Sequence, residues 1–162
     1  MKTPRIGLGI DLHRLEPGRR CVLGGLEFDC DVGPAGHSDA DAILHAICDA
    51  VLGACGADDL GSLFPDKDPA NESRDSAEFC AEALRQCRSR GFRVASLDIV
   101  AECNKPKLGP RRAELRARIA DLFGTEADCV NIKGKTGEAV GAIGEGRAVR
   151  ATAVALLVES GS

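Results

Sequence analysis

Apolar and polar positions alternate with a period of two from Arg5 to Leu15 (RIGLGIDLHRL). Ile6, Leu8 and Ile10 fall on one side and Gly7, Gly9 and Asp11 on the other. This predicts a strand whose far end turns polar. Cys21 to Phe28 (CVLGGLEF), interrupted by Gly24 and Gly25, predicts a short strand pair or arm. From Asp39 to Cys55 the period changes. Ile43, Ala46, Ile47, Ala50, Val51 and Ala54 recur at i, i+3, i+4, which predicts a helix with Ser38 as its N-cap. Gly56 to Asn71 is rich in Asp, Gly and Pro and predicts a loop. A second helix is predicted over Ser76 to Arg90, opened by Asp75 and Glu78 and closed by Gly91. Val94 to Cys103 alternates again, with Ala95, Leu97, Ile99, Ala101 and Cys103 on one side. Pro110 opens a third helix, which Leu115, Ile119 and Leu122 carry to Gly124. Val130 to Lys135 predicts a strand. A glycine-rich turn then leads to a last strand from Arg147 to Val158.

This order predicts one α+β domain over residues 1–162. The expected plan is a mixed four-stranded sheet with helices on one face, ferredoxin-like, plus a short β arm. The final strand is apolar on both sides, the mark of a strand covered twice. In a sheet with helices on one face only, the second cover would be another subunit.

Composition narrows the function. The chain has 162 residues, 28% of them charged and 44% hydrophobic, and a net charge of −4. That charge gives no general attraction to nucleic acid or to a membrane surface. With five Phe, no Tyr and no Trp, the chain also lacks the aromatic platforms on which single-stranded bases stack. The first residues, MKTPRIGLGID, show no apolar secretory core, and no stretch reaches the length of a membrane span. The expected location is cytoplasmic. Eight cysteines stand without any C-x-x-C pair. Cys48/Cys55 and Cys80/Cys87 are each seven residues apart on helices, roughly 10 Å by helical rise and too far for a bridge. They read as small buried hydrophobes in a reducing compartment.

The chain's three histidines, His13, His37 and His45, all lie in its first third. Asp11 and His13 are i and i+2 on a strand and leave the same side. His45 is on the first helix, off its apolar stripe, one turn after Asp41 and one turn before Asp49. If the strand end and the helix pack together, Asp11, His13 and His45 make an open carboxylate–imidazole–imidazole set, the ligand pattern of a catalytic zinc. Asp41 and Asp49 are then candidates to hold an imidazole from behind. If they do not pack, Asp-x-His is a surface strand and His45 an incidental residue.

GIDLHRL, LGG, GHSDADAILHAICDAVLGA and DLGSLFPDKDP, followed by DS in the second helix, PK at 106–107 and NIKGKTGE at 131–138, strongly resemble the 2-C-methyl-D-erythritol 2,4-cyclodiphosphate synthase family of the non-mevalonate isoprenoid pathway. The likeness spans almost the whole chain. It implies a homotrimer with active sites at subunit interfaces. It also implies the reaction: the 2-phosphate of 4-diphosphocytidyl-2-C-methyl-D-erythritol 2-phosphate attacks the β-phosphorus, and CMP leaves. No covalent enzyme intermediate is implied, so the protein aligns and neutralises.

The same resemblance implies roles. Asp11, His13 and His45 would bind zinc. Glu138 would bind a second divalent ion, Mg2+ or Mn2+, whose taste for oxygen suits a carboxylate. His37, Ser38 and Thr136 would contact phosphates, with Ser38 at the amide-rich start of a helix. Asp59 and Gly61 match a ribose-binding pair, and Asp66 and Asp68 a loop over the methylerythritol moiety. Cys103, Lys107, Leu108, Gly134 and Lys135 match a cytosine pocket. One departure stands out. Where the family carries an Arg-x-Glu order before the last strand, this chain has Glu145-x-Arg147, and Ile10 and Ala142 replace aromatic residues. The family's cavity on the threefold axis, which can hold an isoprenoid diphosphate, is expected to be weakened here. A non-catalytic zinc or nucleotide-binding module on this scaffold is the other reading, but it would not require Glu138 and Thr136.

Overall fold

The computed structural model describes residues 2–65 and 67–161. The first strand, β1 (Arg5–Pro17), has the predicted alternation, and its two sides do different work. Gly7 and Gly9 face α1 (Ala42–Cys55). A Cβ at Gly7 would overlap the Ala50 carbonyl, and one at Gly9 the Ala46 carbonyl. Glycine alone lets the helix backbone lie this close to the strand.

β2 (Cys21–Leu23) and β3 (Leu26–Phe28) form a separate antiparallel ribbon, the predicted arm. β4 (Val32–Pro34), β5 (Phe92–Glu102), β6 (Val130–Lys135) and β7 (Ala148–Glu159) join β1 in one sheet of order β4-β1-β7-β5-β6. Two sequence-based expectations need correction. The sheet has five strands, because β4 pairs with the end of β1. Three residues are too few to show a period. The ferredoxin-like plan also fails. That plan runs β-α-β-β-α-β. Here β1 is followed by helices α1 and α3 (Ser76–Ser89), then β5, helix α4 (Arg112–Phe123), β6 and β7. β5 and β6 are parallel across α4, while β7 is antiparallel to both β1 and β5. The C-terminal strand takes the middle of the sheet, where a strand apolar on both sides belongs.

Helices cover one face, as expected. Ile43, Leu44, Ile47 and Val51 of α1 are buried, as are Ala151, Ala153 and Ala155 of β7, a strand against which α1 packs. Those small residues let α1 sit close to a second strand as well. Six of the eight cysteines are buried and none is bridged. Cys48 and Cys80 place their sulfurs 3.8 Å apart between α1 and α3, and burial pushes the Cys87 thiol up to about 11. These are core residues.

The opposite face is bare in a single chain. Ile6, Leu8, Ile10 and Leu12 are 74%, 61%, 56% and 60% exposed. The register sets Leu8 beside Val154 and Ile6 beside Leu156. The last strand is thus covered on one side by α1 and left partly open on the other. Among the described residues no helix is long and apolar enough to cross a membrane.

Smaller differences have local causes. α1 begins three residues later than predicted, because Asp41 and not Ser38 caps it. The predicted loop contains a short helix, α2 (Leu60–Leu63), capped by Asp59, and a 3-10 turn over Pro69–Asn71. The glycine-rich turn winds into α5 (Gly141–Gly144).

Candidate metal centre

Asp11 and His13 continue the side of β1 that carries Gly7 and Gly9, so they meet the first turn of α1. His45 immediately precedes Ala46, whose carbonyl abuts Gly9. The two glycines therefore set His45 over the polar end of the strand. His13 Nε2 lies 2.8 Å from Asp11 Oδ2, and His45 Nδ1 lies 3.3 Å from the same oxygen. The two nitrogens are 3.4 Å apart.

The hydrogen position on His13 follows from its outer nitrogen. His13 Nδ1 lies 2.9 Å from the Ala35 carbonyl, which can only accept, so Nδ1 carries the hydrogen and Nε2 a lone pair. His45 Nε2 lies 2.9 Å from the Ser76 hydroxyl and its Nδ1 faces inward. Asp11 Oδ2 is buried and has no donor; in this tautomer its short contact with His13 joins two acceptors. The His13 lone pair and the Asp11 carboxylate repel unless a cation or a proton stands between them. The three donor atoms all lie within 4.8 Å of one another. Two imidazoles and a carboxylate suit zinc, with the fourth position open. Without an ion the pair holds a proton instead. Burial works to raise Asp11, but His13 and His45 outweigh it and bring it down to about 2. Burial likewise opposes charge on His13, yet Asp11 raises its pKa.

Asp41 and Asp49 do not hold the imidazoles. Asp41 is fully buried. Its oxygens accept from the backbone N–H groups of Gly24, Gly25 and Leu44 at 2.8, 2.7 and 3.0 Å. It caps α1 and ties it to the β2–β3 turn. Burial pushes its pKa up against those three donors. Asp49 accepts from Leu60 N at 2.8 Å and anchors α2. Unpaired N–H groups at helix starts compete for a nearby carboxylate, and at both sites they win. The same capping corrects the helix-start reading of Ser38. Its hydroxyl accepts from Ala40 N at 3.1 Å, outside the helix, and Asp41 already occupies the first turn. The residues behind His45 that sequence reasoning missed are Ser76 and Asp39. The one available signal was the DS pair at the start of the second helix.

A cleft of about 380 Å³ opens from the triad, with His37, Ser38, Gly61, Phe64 and Asn71 on its walls. Asp59 stands beside Gly61, and its carboxylate accepts from Ser62 N at 2.8 Å. Asp68 caps the 3-10 turn through Ala70 N at 2.9 Å. Asp66 lies outside the described residues.

The remaining predicted residues gather elsewhere. Cys103 N donates to the Lys135 carbonyl at 2.9 Å, and Leu108 packs near Gly134. Lys107 is exposed beside them. Thr136 follows, its hydroxyl 3.4 Å from Glu138 N. Gly137, Glu138 and Ala139 have φ of 77°, 51° and 61°, a left-handed run that turns the Glu138 side chain outward. The register Asp11–Ala151–Ala101–Gly134 sets both groups at one level of the sheet. They are three strand spacings apart, roughly 14 Å. Within one chain the predicted residues therefore fall into two separate groups. Arg147 folds back on Glu145, 2.6 Å away, as an exposed ion pair.

Comparison with known proteins agrees with this architecture. The YgbB family matches residues 4–158. A 2-C-methyl-D-erythritol 2,4-cyclodiphosphate synthase from Aromatoleum aromaticum is 45% identical over 162 residues, covering 99% of this chain and 98% of its own. One from Desulfosudis oleivorans is 44% identical over 155 residues, covering 96% and 92%. A solved structure of IspF from Plasmodium falciparum in complex with CDP superposes with a TM-score of 0.87 at 30% identity, covering 99% of each chain.

Proposed function

The chain belongs to the YgbB family, and from that premise we propose that it converts 4-diphosphocytidyl-2-C-methyl-D-erythritol 2-phosphate into 2-C-methyl-D-erythritol 2,4-cyclodiphosphate and CMP. An oxygen of the 2-phosphate attacks the β-phosphorus, the bond to the CMP oxygen breaks, and CMP leaves with that electron pair. The observation that carries this reading is the convergence of three ligand atoms, one each from Asp11, His13 and His45, on the wall of a cleft.

Asp11, His13 and His45 are the metal ligands in this reading, and Zn2+ is the ion their chemistry suits. Bound there, a divalent cation would polarise a phosphoryl oxygen and offset charge on the diphosphate. The protein's own residues align the substrate. His37 and Ser38 on the cleft wall are placed to hold phosphate oxygens beside the triad. Asp59 and Gly61 offer a carboxylate and a bare backbone for a ribose, and Asp66 and Asp68 serve the methylerythritol moiety. Cys103, Lys107, Leu108, Gly134 and Lys135 form the cytosine site, reading the base through backbone groups. Thr136 and Glu138 serve the diphosphate, Glu138 through a second ion, Mg2+ or Mn2+.

These two groups form one active site only if a neighbouring copy supplies the second. The bare apolar stripe on β1 and β7 supports that assembly, because a monomer seldom leaves such a face open to water. We infer a homotrimer with each site between two subunits. The deciding experiment is CMP release from the cytidyl substrate with and without a chelator. Release that stops on chelation and returns with zinc is expected. No release from a zinc-loaded, assembled protein would overturn the assignment.

A further inference from the structure

Resting on the metal-site reading above, we propose that Asp39 and Ser76 are positioning residues: a carboxylate–hydroxyl relay that fixes His45 in the tautomer presenting Nδ1 to the metal. Ser76 is fully buried as the first residue of α3. Its backbone N–H donates to Asp39 Oδ2 at 2.9 Å, and its hydroxyl makes a short hydrogen bond to Asp39 Oδ1. An ionised carboxylate only accepts, so the hydroxyl's single proton is committed to Asp39. What Ser76 Oγ turns toward His45 Nε2, 2.9 Å away, is a lone pair. Nε2 must then carry the ring hydrogen, and Nδ1 is left bare toward Asp11.

The rest of the surroundings agree. The other hydroxyl near Nε2, Ser38 Oγ, is 3.4 Å away and already accepts from Ala40 N. Phe79, one turn along α3 from Ser76, packs edge-on against the His45 ring with centroids 5.5 Å apart, which limits rotation of the imidazole. Asp39 is itself held, its N–H donating to the Arg74 carbonyl at 3.2 Å and its Oδ1 accepting from Asp41 N at 3.2 Å. It thus joins the start of α1 to the start of α3. The two imidazoles are fixed by different means. His13 presents Nε2 because a backbone carbonyl takes its Nδ1–H. His45 presents Nδ1 because a side-chain relay takes its Nε2–H. Only the second arrangement can be removed by mutation without touching a ligand.

Three variants test the relay: Ser76→Ala removes the acceptor, Asp39→Asn lets an amide donate to Ser76 and so reverses the hydrogen-bond direction, and Ser76→Thr keeps the hydroxyl. Two measurements apply to each. Long-range nitrogen–proton NMR on metal-free, histidine-labelled protein at alkaline pH reads the His45 tautomer. Competition with a chromophoric chelator reads zinc affinity. The parent is expected to show His45 as the Nε2–H tautomer. Ser76→Ala is expected to show a mixture, Asp39→Asn a shift toward Nδ1–H, and Ser76→Thr the parent pattern. Zinc affinity should fall about ten- to a hundredfold in the first two, the range for loss of a partner behind a metal-bound histidine, and recover in Ser76→Thr. Parent-like tautomer and affinity in a folded Asp39→Asn would overturn the relay; should Ser76→Ala fail to fold, that variant decides alone. Neither readout needs turnover. A zinc-loaded parent that releases no CMP would sink the proposed reaction and leave the tautomer result standing.

Discussion

The two sides of β1 carry opposite kinds of residue, one position apart. The inner side runs Gly7, Gly9, Asp11, His13: no side chain for two positions, then two ligands. The outer side runs Ile6, Leu8, Ile10, Leu12, all more than half exposed. On the inner side a helix lies on the strand and brings three candidate metal ligands together within one chain. On the outer side nothing is finished, and a hydrophobic stripe waits for a cover. Thr136 and Glu138, the residues proposed to serve the diphosphate, are likewise exposed. The contrast separates what the fold completes alone from what it leaves to association. The two sides can be broken independently.

The largest effect is expected from the inner side's ligands. Asp11→Asn, His13→Ala and His45→Ala should each abolish bound zinc and nearly all CMP release, since three protein ligands leave no spare. Elemental analysis of the purified variants checks this. A full complement of zinc in His45→Ala would mean the triad is not the metal site.

Next comes Gly9→Val. A Cβ there runs into the Ala46 carbonyl, backbone that cannot swing aside, so α1 must move off the strand. Overpacking of this kind costs about 1–3 kcal/mol or more, visible as a lower melting temperature. Because His45 adjoins Ala46, zinc should be lost along with stability. Leu8→Asp on the outer side should reverse that pattern. The side chain is already 61% exposed, so the folded chain and its zinc should survive. The assembly should fall apart to monomers in light scattering, and CMP release should vanish with it. A trimer that persists in Leu8→Asp would show that this stripe is not the interface.

Much of the inner side was legible in the sequence. Period-two alternation identified β1, period 3.6 identified α1, and Asp11, His13 and His45 read as a candidate ligand set provided the two elements packed together. The reason for Gly7 and Gly9 was not legible, because the close approach involves Ala50 and Ala46, far along the chain. Sheet order escaped for the same cause: alternation shows that Arg147 to Val158 is a strand, not that it enters between β1 and β5. The helix cap was misread because Ser38, Asp39 and Asp41 are all able caps, and only the position of the Gly24–Gly25 N–H groups selects Asp41. The Asp39–Ser76 contact joins residues 37 apart; no local pattern predicts it.

A smaller effect is expected at Glu138. Glu138→Gln should keep zinc, because Glu138 is not one of the three clustered ligands, but it should weaken activation by Mg2+ or Mn2+. The loss of one hard carboxylate ligand should move the activation curve to higher metal concentration. A curve that overlays the parent's would give Glu138 another role.

The smallest effect is a pH dependence that belongs to the inner side alone. In the metal-free chain His13 has a raised pKa because Asp11 outweighs burial. A pKa raised on folding adds stability that is fully present below the unfolded value, about 6.5, and fades as pH rises through the folded value. Asp11, lowered to about 2 from 3.8, adds stability that is present above 3.8 and fades as pH falls toward 2. The pair's contribution is therefore largest between those limits, and metal-free protein should lose some stability from neutral to alkaline pH. Zinc reverses the trend. It must displace the His13 proton, so its affinity, and the stabilisation that follows from binding, climb over the same range. Melting temperatures with and without zinc should diverge as pH rises. His13→Ala should flatten both curves, while Leu8→Asp, compared as monomer at each pH, should leave their divergence intact. Parallel curves for the parent would show that His13 does not share its proton site with the metal.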